Sequence, residues 1–279
     1  MKSKRTLRVA LRALRHVPLL IFCVFFLFPF IIMVSTSFKP IQQLYKLPIR
    51  VLPESLHLEN YAKISEYIPF SLYFRNTAII TAFSMLGVVI SCPMVAYSLG
   101  RIRWRGRNVL FIMTLAVMMI PYVVTMVPVY MVYAKLKMVG TWLPLIVPTY
   151  FGIPFYIFLL RQFFMGLPKD LEESARIDGS GEFNTYLRVM LPLCKPAVLT
   201  VAIFQLLNSW NDFTGPLIYL QKSSMYTLQI GLQQFKTAHT TAWPEMMAAS
   251  TLICLPVIIL FFFMQKSFME GITFTGIKA

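Results

Sequence analysis

Uncharged runs long enough to cross a bilayer recur along this chain, and they restrict its fold more than any other feature. A hydrocarbon core about 30 Å thick is filled by roughly 20 helical residues. Runs of that kind lie at 17–38, 76–100, 108–134, 138–160, 196–221 and 246–265, the fifth interrupted only by Asp212. Backbone groups in lipid must be satisfied within their own segment or around a closed barrel, and these runs lack the strict alternation of barrel strands. An all-α polytopic membrane protein with six transmembrane helices is therefore predicted. Composition points the same way, because 57% hydrophobic with 13% charged residues lies outside the range of ordinary soluble domains. A basic leader before an apolar run also begins a signal peptide. The first run is too long for that and has no small-residue cleavage pattern at its end, so it is read as a retained helix.

The net charge of +15 would suggest nucleic acid in a soluble chain. In a membrane protein it reports topology instead, since Lys and Arg collect in cytoplasmic loops. Most of the 26 basic residues fall in the arm 1–16, the loop 101–107 (Arg101, Arg103, Arg105, Arg107), the loop 161–195 and the tail 266–279. The loops 39–75, 135–137 and 222–245 hold the thinner remainder, which predicts cytoplasmic termini and no nucleic-acid partner. Cys23, Cys92, Cys194 and Cys254 form no C-x-x-C pair, and His16, His57 and His239 form no H-E-x-x-H pattern, so neither a disulfide framework nor a metal site is expected. Pro121, Pro128, Pro144, Pro148, Pro154 and Pro256 interrupt the runs. Two readings stand for them, kinks in packed helices or bends that shape a moving pathway.

The acidic residues are the informative minority. Asp170, Glu172, Glu173, Asp178 and Glu182, nearly half of the 11, sit in one loop. Pro168 and the acids after it mark a helix start, and Gly179 suits its left-handed end. A second short helix is predicted from about Ser180 to Val189. The string Glu173-Ser174-Ala175, with Gly179 after three further residues and Val189-x-Leu191-Pro192 after nine more, resembles the EAA loop of ABC importer permeases, E-A-A-x3-G-x9-I-x-L-P. Ser174 replaces the first alanine and Val189 the isoleucine.

That resemblance implies a coupling helix that docks on a cytoplasmic ATP-binding subunit, through Glu173, Ser174, Ala175, Asp178, Gly179, Val189, Leu191 and Pro192. Small residues permit close backbone approach, and the Glu173 carboxylate offers two acceptors to an arginine of the partner. Asp178 is expected to cap the following turn rather than reach the partner. The chain has no G-x-x-x-x-G-K-[ST] loop, so ATP and Mg would be used by a separate subunit, with no cofactor bound directly and no catalytic residue here.

Further strings extend the resemblance to the carbohydrate-uptake class and its MalG-like members: Ser35 to Pro40, Glu59-Asn60-Tyr61, Ala96 to Arg101, Trp210-Asn211-Asp212-Phe213 with Pro216-Leu217, and Gln265 to Thr273. It implies a MetI-like ABC importer permease fold with a single type-1 domain over about 70–265. It also implies a MalF-like second permease, an ABC ATPase dimer, an extracytoplasmic solute-binding protein and a carbohydrate substrate. By the same resemblance, the loop from Lys222 to Trp243 would reach toward the binding protein, and the tail from Gly271 to Ala279 would lie near the ATPases. An ionisable residue within a span faces the bundle or water. Asn208, Trp210, Asn211 and Asp212 therefore either line a translocation path or serve helix packing. A polyol, glycerol-phosphate or modified-sugar cargo is the principal alternative. A secondary transporter would leave the Glu173–Pro192 spacing unexplained, and a membrane-embedded enzyme would need a nucleophile or metal motif that is absent.

Overall fold

The computed structural model describes residues 2–236 and 241–276, with side-chain surroundings for 16–236, 241–263 and 265. Residues 237–240 of the predicted 222–245 loop and 277–279 of the predicted tail lie outside the described residues. The principal helices are α1 (Lys2–Ser37), α2 (Phe70–Gly100), α3 (Arg107–Met118), α4 (Tyr122–Lys135), α5 (Pro154–Gly166), α6 (Asp170–Ile177), α7 (Lys195–Trp210), α8 (Thr214–Tyr219) and α9 (Trp243–Gly276). No strand occurs among the described residues. Lys236 and Thr241 form an isolated bridge.

Four stretches are long and apolar enough to cross a membrane: His16–Ser37, Phe70–Gly100, Leu143–Gly166 and Trp243–Phe263. Six are reached only if α3 with α4, bent by 105°, and Glu182–Leu193 with α7, bent by 77°, each count as one. Two predicted spans are thus sharply bent, and a third, 138–160, passes through the 3-10 turn Val147–Phe151 and the non-helical Gly152 and Ile153 before α5. The run 108–134 breaks between Met118 and Tyr122, where Pro121 lacks the N–H that would continue the ladder. The run 196–221 breaks between Trp210 and Thr214, so Asp212 sits in the break and not within a helix.

The chain divides into two compact units, Met1–Pro69 with Leu232–Pro256 and Phe70–Gly231 with Val257–Ala279. In the first, the apolar stretch of α1 is uncovered along its length. A polar knot forms just beyond it. Asn60 Nδ2 donates to the Ser37 and Lys39 carbonyls at 2.9 and 3.0 Å, and the Ser37 and Tyr61 hydroxyls are 2.8 Å apart. Lys39 Nζ donates to the Arg50 carbonyl at 2.7 Å, and burial pushes its ammonium below the ordinary lysine range. The strings Ser35–Pro40 and Glu59–Tyr61 are therefore two halves of one clamp.

In the second unit α2 is the central element. Its buried Val88, Cys92, Ala96 and Tyr97 form a core with Tyr156, Leu160 and Phe164 of α5 and with Met190, Cys194 and Val201. Leu160 and Phe164 are fully buried there, and within a bilayer it is their close packing, not removal from water, that holds α5 on α2. Gly87 lets the turn Val147–Phe151 close on α2, because a Cβ there would fall 2.7 Å from a Tyr150 ring carbon. Ser91 Oγ donates to the Thr149 carbonyl at 2.8 Å across the same contact.

Candidate functional site

The acidic loop folds around α6. Asp170, Glu172 and Glu173 occupy its first turn, where carboxylates complement the helix dipole. Its end is a paired closure. Gly179 N–H donates to the Arg176 carbonyl at 3.0 Å and Ser180 N–H to the Ala175 carbonyl at 2.9 Å, with Gly179 at φ +78°. No atom lies within 4 Å of where a Gly179 Cβ would be, so the demand for glycine comes from the backbone and not from crowding. Successive residues turn to different faces of the helix. Glu172 and Ala175 are buried, whereas Glu173, Ser174 and Asp178 are exposed and Ile177 is 86% exposed.

Behind that exposed face lies Arg101, read from the sequence as a topological charge and as the end of the Ala96–Arg101 string. Arg101 Nε donates to Glu172 Oε1 at 2.9 Å, with side chains 6% and 10% exposed. Its Nη1 donates to the Leu167 carbonyl at 2.9 Å and the Phe164 carbonyl at 3.4 Å, and Nη2 to the Pro168 carbonyl at 3.1 Å. One guanidinium thus joins the end of α2, the last carbonyls of α5 and the inner face of α6. Glu172 differs from Glu173 by one position, and only the helical rotation separates a buried anchor from an exposed acceptor.

The rest of the motif turns inward. Val189 and Leu191 pack partly buried against the α2–α5 core, on either side of fully buried Met190, and Pro192 is exposed in the first turn of Leu191–Leu193. The predicted second helix is present, shifted to Glu182–Leu193, and it changes character along its length. Glu182–Thr185 is α-helical and Tyr186–Met190 widens into a π turn. Helix Glu182–Thr185 begins at Gly181 without a side-chain cap, so Asp178 does not cap it as expected. Glu182 instead pairs with Arg176 at 2.7 Å and raises the guanidinium above its ordinary value.

The structure divides the predicted path residues. Trp210 is buried, its ring edge-on to Phe74 at 5.6 Å, which is a packing role. Asn211 is exposed, donates from Nδ2 to the Leu207 carbonyl at 2.8 Å and accepts from Gln229 Nε2 at 3.5 Å. Asn208 and Asp212 do line a common cavity of about 460 Å³, together with Gln205 and Ser209. Asp212 Oδ1 accepts the Gly215 N–H at 3.0 Å, and a Cβ on Gly215 would lie 2.5 Å from Asp212 Oδ2 and 2.9 Å from Leu145. The cavity wall also holds residues that the sequence reading missed. Gln205 and Thr227 are 4% and 3% exposed, and Gln205 Oε1 and Thr227 Oγ1 have no hydrogen-bond partner among the described residues. Each such orphan costs about 1–3 kcal/mol. Gln205 was visible in principle, as the one amide within the stretch Ala197–Leu207, which is apolar but for it and Thr200.

The model of the family described as binding-protein-dependent transport system inner membrane component matches residues 93–273, a span that holds the Arg101 anchor, α6 and all of the cavity lining except Thr77 and Ile80. The chain belongs to this family. Among other inner membrane components, it is 35% identical to the arabinooligosaccharides transport system permease protein AraQ of Halalkalibacterium halodurans, over 90% of this chain and 91% of that one. It is 34% identical to AraQ of Bacillus subtilis over 91% of each chain. With the sulfoquinovosyl glycerol transport system permease protein SmoH of Agrobacterium fabrum it shares 30% identity, over 96% of this chain and 94% of the other. The fold of this inner membrane component also matches a chain in the crystal structure of a bacterial ABC transporter involved in the import of the acidic polysaccharide alginate. That match has a TM-score of 0.78 at 23% identity and covers 95% of this chain and 98% of that chain.

Proposed function

We propose that this inner membrane component is the MalG-like half of a heterodimeric permease that imports a carbohydrate, with six membrane crossings and both termini in the cytoplasm. The sugar class follows from relatives named for arabino-oligosaccharide and sulfoquinovosyl glycerol transport. The uncovered apolar length of α1 is a surface for lipid and for a MalF-like second permease. An extracytoplasmic binding protein delivers the sugar, and a cytoplasmic ATPase dimer uses ATP and Mg to drive alternating access.

The observation that carries this reading is the two-sided construction of α6. Its outer face presents Glu173, Ser174 and Ile177 beside the Gly179 turn to the ATPase, while its inner face is fastened to α2 and α5 through Glu172 and Arg101. Movement of the ATPase subunits then reaches the membrane helices through a buried ion pair and not through a slack loop. Such a change needs contacts that differ between the two states of the transporter. The test is to purify the permease pair carrying Glu173→Lys and measure bound ATPase and sugar uptake in proteoliposomes. Loss of both with normal membrane insertion is expected, and wild-type levels of both would remove α6 from the coupling role.

A further inference from the structure

We infer that the groove between the end of α2, α3 and the start of α5, together with the arginine-lined hollow that shares Trp104 with it, holds one anionic phospholipid, its acyl chain in the groove and its phosphate on Arg103 and Arg107. The inference rests on the membrane-spanning reading of the chain and goes beyond it, giving a ligand to a region that sugar transport leaves unassigned.

Two cavities meet at Trp104. The larger, about 610 Å³, is walled by Met94, Leu110, Met113, Val117, Phe151 and Ile157 among others. The polar groups of Thr114 and Trp104 along it are spent internally. Thr114 Oγ1 donates to the Leu110 carbonyl at 2.8 Å, and Trp104 Nε1 donates to the Ser98 carbonyl at 3.3 Å. Such a wall offers a sugar or a peptide little to bond with and suits a hydrocarbon chain. From Leu110 to Val117 it runs about 10 Å along α3, a helix with no buried residue. The smaller cavity, about 220 Å³, is lined by Arg103, Trp104, Gly106, Arg107 and Asn108 together with Val109. Trp104 thus stands where an apolar wall gives way to a cationic one, which is the place of an indole at a membrane interface.

Charge settles which lipid fits. No Asp or Glu occurs between Glu66 and Asp170. Arg101 spends its charge on Glu172, whereas Arg103, Arg105, Arg107 and Arg161 form no ion pair among the described residues. Arg161 stands nearby, its guanidinium 3.8 Å from the centre of the Phe111 ring, one turn along α3 from Arg107. Topology would be served by lysine as well as by arginine, yet every basic residue of the loop 101–107 is arginine, whose planar fork takes two phosphate oxygens at once. A zwitterionic lipid brings an ammonium group that this uncompensated cluster repels, and an anionic one does not.

The experiment uses the complete permease pair with its ATPase dimer, in dioleoyl phosphatidylcholine vesicles containing phosphatidylglycerol with a diazirine on one acyl chain. Irradiation and peptide mapping should place the label on 94–99 and 110–117 of this chain. Unlabelled phosphatidylglycerol should displace the probe, and added phosphatidylcholine or inorganic phosphate should not. Arg103→Gln with Arg107→Gln should raise the probe concentration for half-labelling by roughly thirtyfold, the worth of two cations at an anionic surface. Arg103→Lys with Arg107→Lys should keep most of the labelling. Met113→Gln, at a position 56% exposed, tests the groove independently of the arginines and should cut labelling several-fold. Arg8→Gln with Arg12→Gln removes the same charge from the arm 1–16 and should change nothing. Unchanged labelling in the Arg103/Arg107 glutamine pair or in Met113→Gln overturns the inference, as does an equal fall in the arm variant. Displacement by phosphatidylcholine or inorganic phosphate overturns it too, and label absent from 110–117 would leave the groove to the second permease. A transporter that binds the lipid as described but takes up no carbohydrate would instead overturn the functional reading and leave the lipid site standing.

Discussion

Arg101 and Gln205 both bury a polar side chain in the same unit of the chain, and their surroundings treat them in opposite ways. Arg101 meets one carboxylate and three carbonyls from two neighbouring segments. Gln205 lines a cavity and keeps an oxygen with no hydrogen-bond partner among the described residues. A fully satisfied buried group holds its neighbours in one arrangement, because any displacement exposes a charge to a low dielectric. An unsatisfied one imposes no such arrangement. The contrast separates a fully bonded polar junction from a wall whose hydrogen-bonding capacity is unmet.

The comparison is broken most severely at Glu172. Glu172→Ala leaves the Arg101 guanidinium buried without its carboxylate, and loss of about 3–5 kcal/mol is expected, read as a lowered thermal midpoint of the purified permease pair. The exchange Arg101→Glu with Glu172→Arg should recover only part of that, since the three carbonyls lose their donor. Full recovery would show that the ion pair alone matters. Next in size is Gly179→Val, which forces a β-branched residue to φ +78° at a cost of about 1–2 kcal/mol. Uptake should fall further than the thermal midpoint does, because the strain lies at the docking face, and equal falls would make Gly179 a purely structural requirement. Ile177→Ser, at a position 86% exposed, should shift stability by less than about 0.5 kcal/mol while reducing co-purified ATPase. Undiminished ATPase would take Ile177 out of the docking surface. The smallest effect is expected at Thr227→Val, where no internal hydrogen bond is lost and the thermal midpoint should hold or rise slightly. A clear fall there would mean that Thr227 has an internal partner and that the contrast with Arg101 is false.

The apolar runs were legible because bilayer thickness imposes a length on them, and the Glu173–Pro192 spacing because a helix, a left-handed turn and a return to the core each demand their residue types. The Pro121 break had a visible cause, with its consequence left open between kink and path. The second break had a weaker one. Asn211-Asp212 ahead of Gly215-Pro216 are turn residues within an apolar run, and the turn itself depends on the hydrogen bond from Gly215 N–H to Asp212 and on the closeness of Leu145. The roles of Glu172 and Glu173 could not be told apart locally, because the residue that distinguishes them, Arg101, lies 71 positions away. Nor could Asn208 and Asp212 be separated from Trp210 and Asn211 before the wall they share with Gln205 and Thr227 was in place.

The right-angled break at Pro121 bears on how the chain enters the membrane in the first place. Helix α3 has 12 residues and α4 has 14, which makes them about 18 and 21 Å long, each short of a hydrocarbon core about 30 Å thick. Neither half presents a complete hydrophobic signal to the insertion machinery. Only the two together reach the length of a crossing, so a span at this place would depend on both halves and on the bend that joins them.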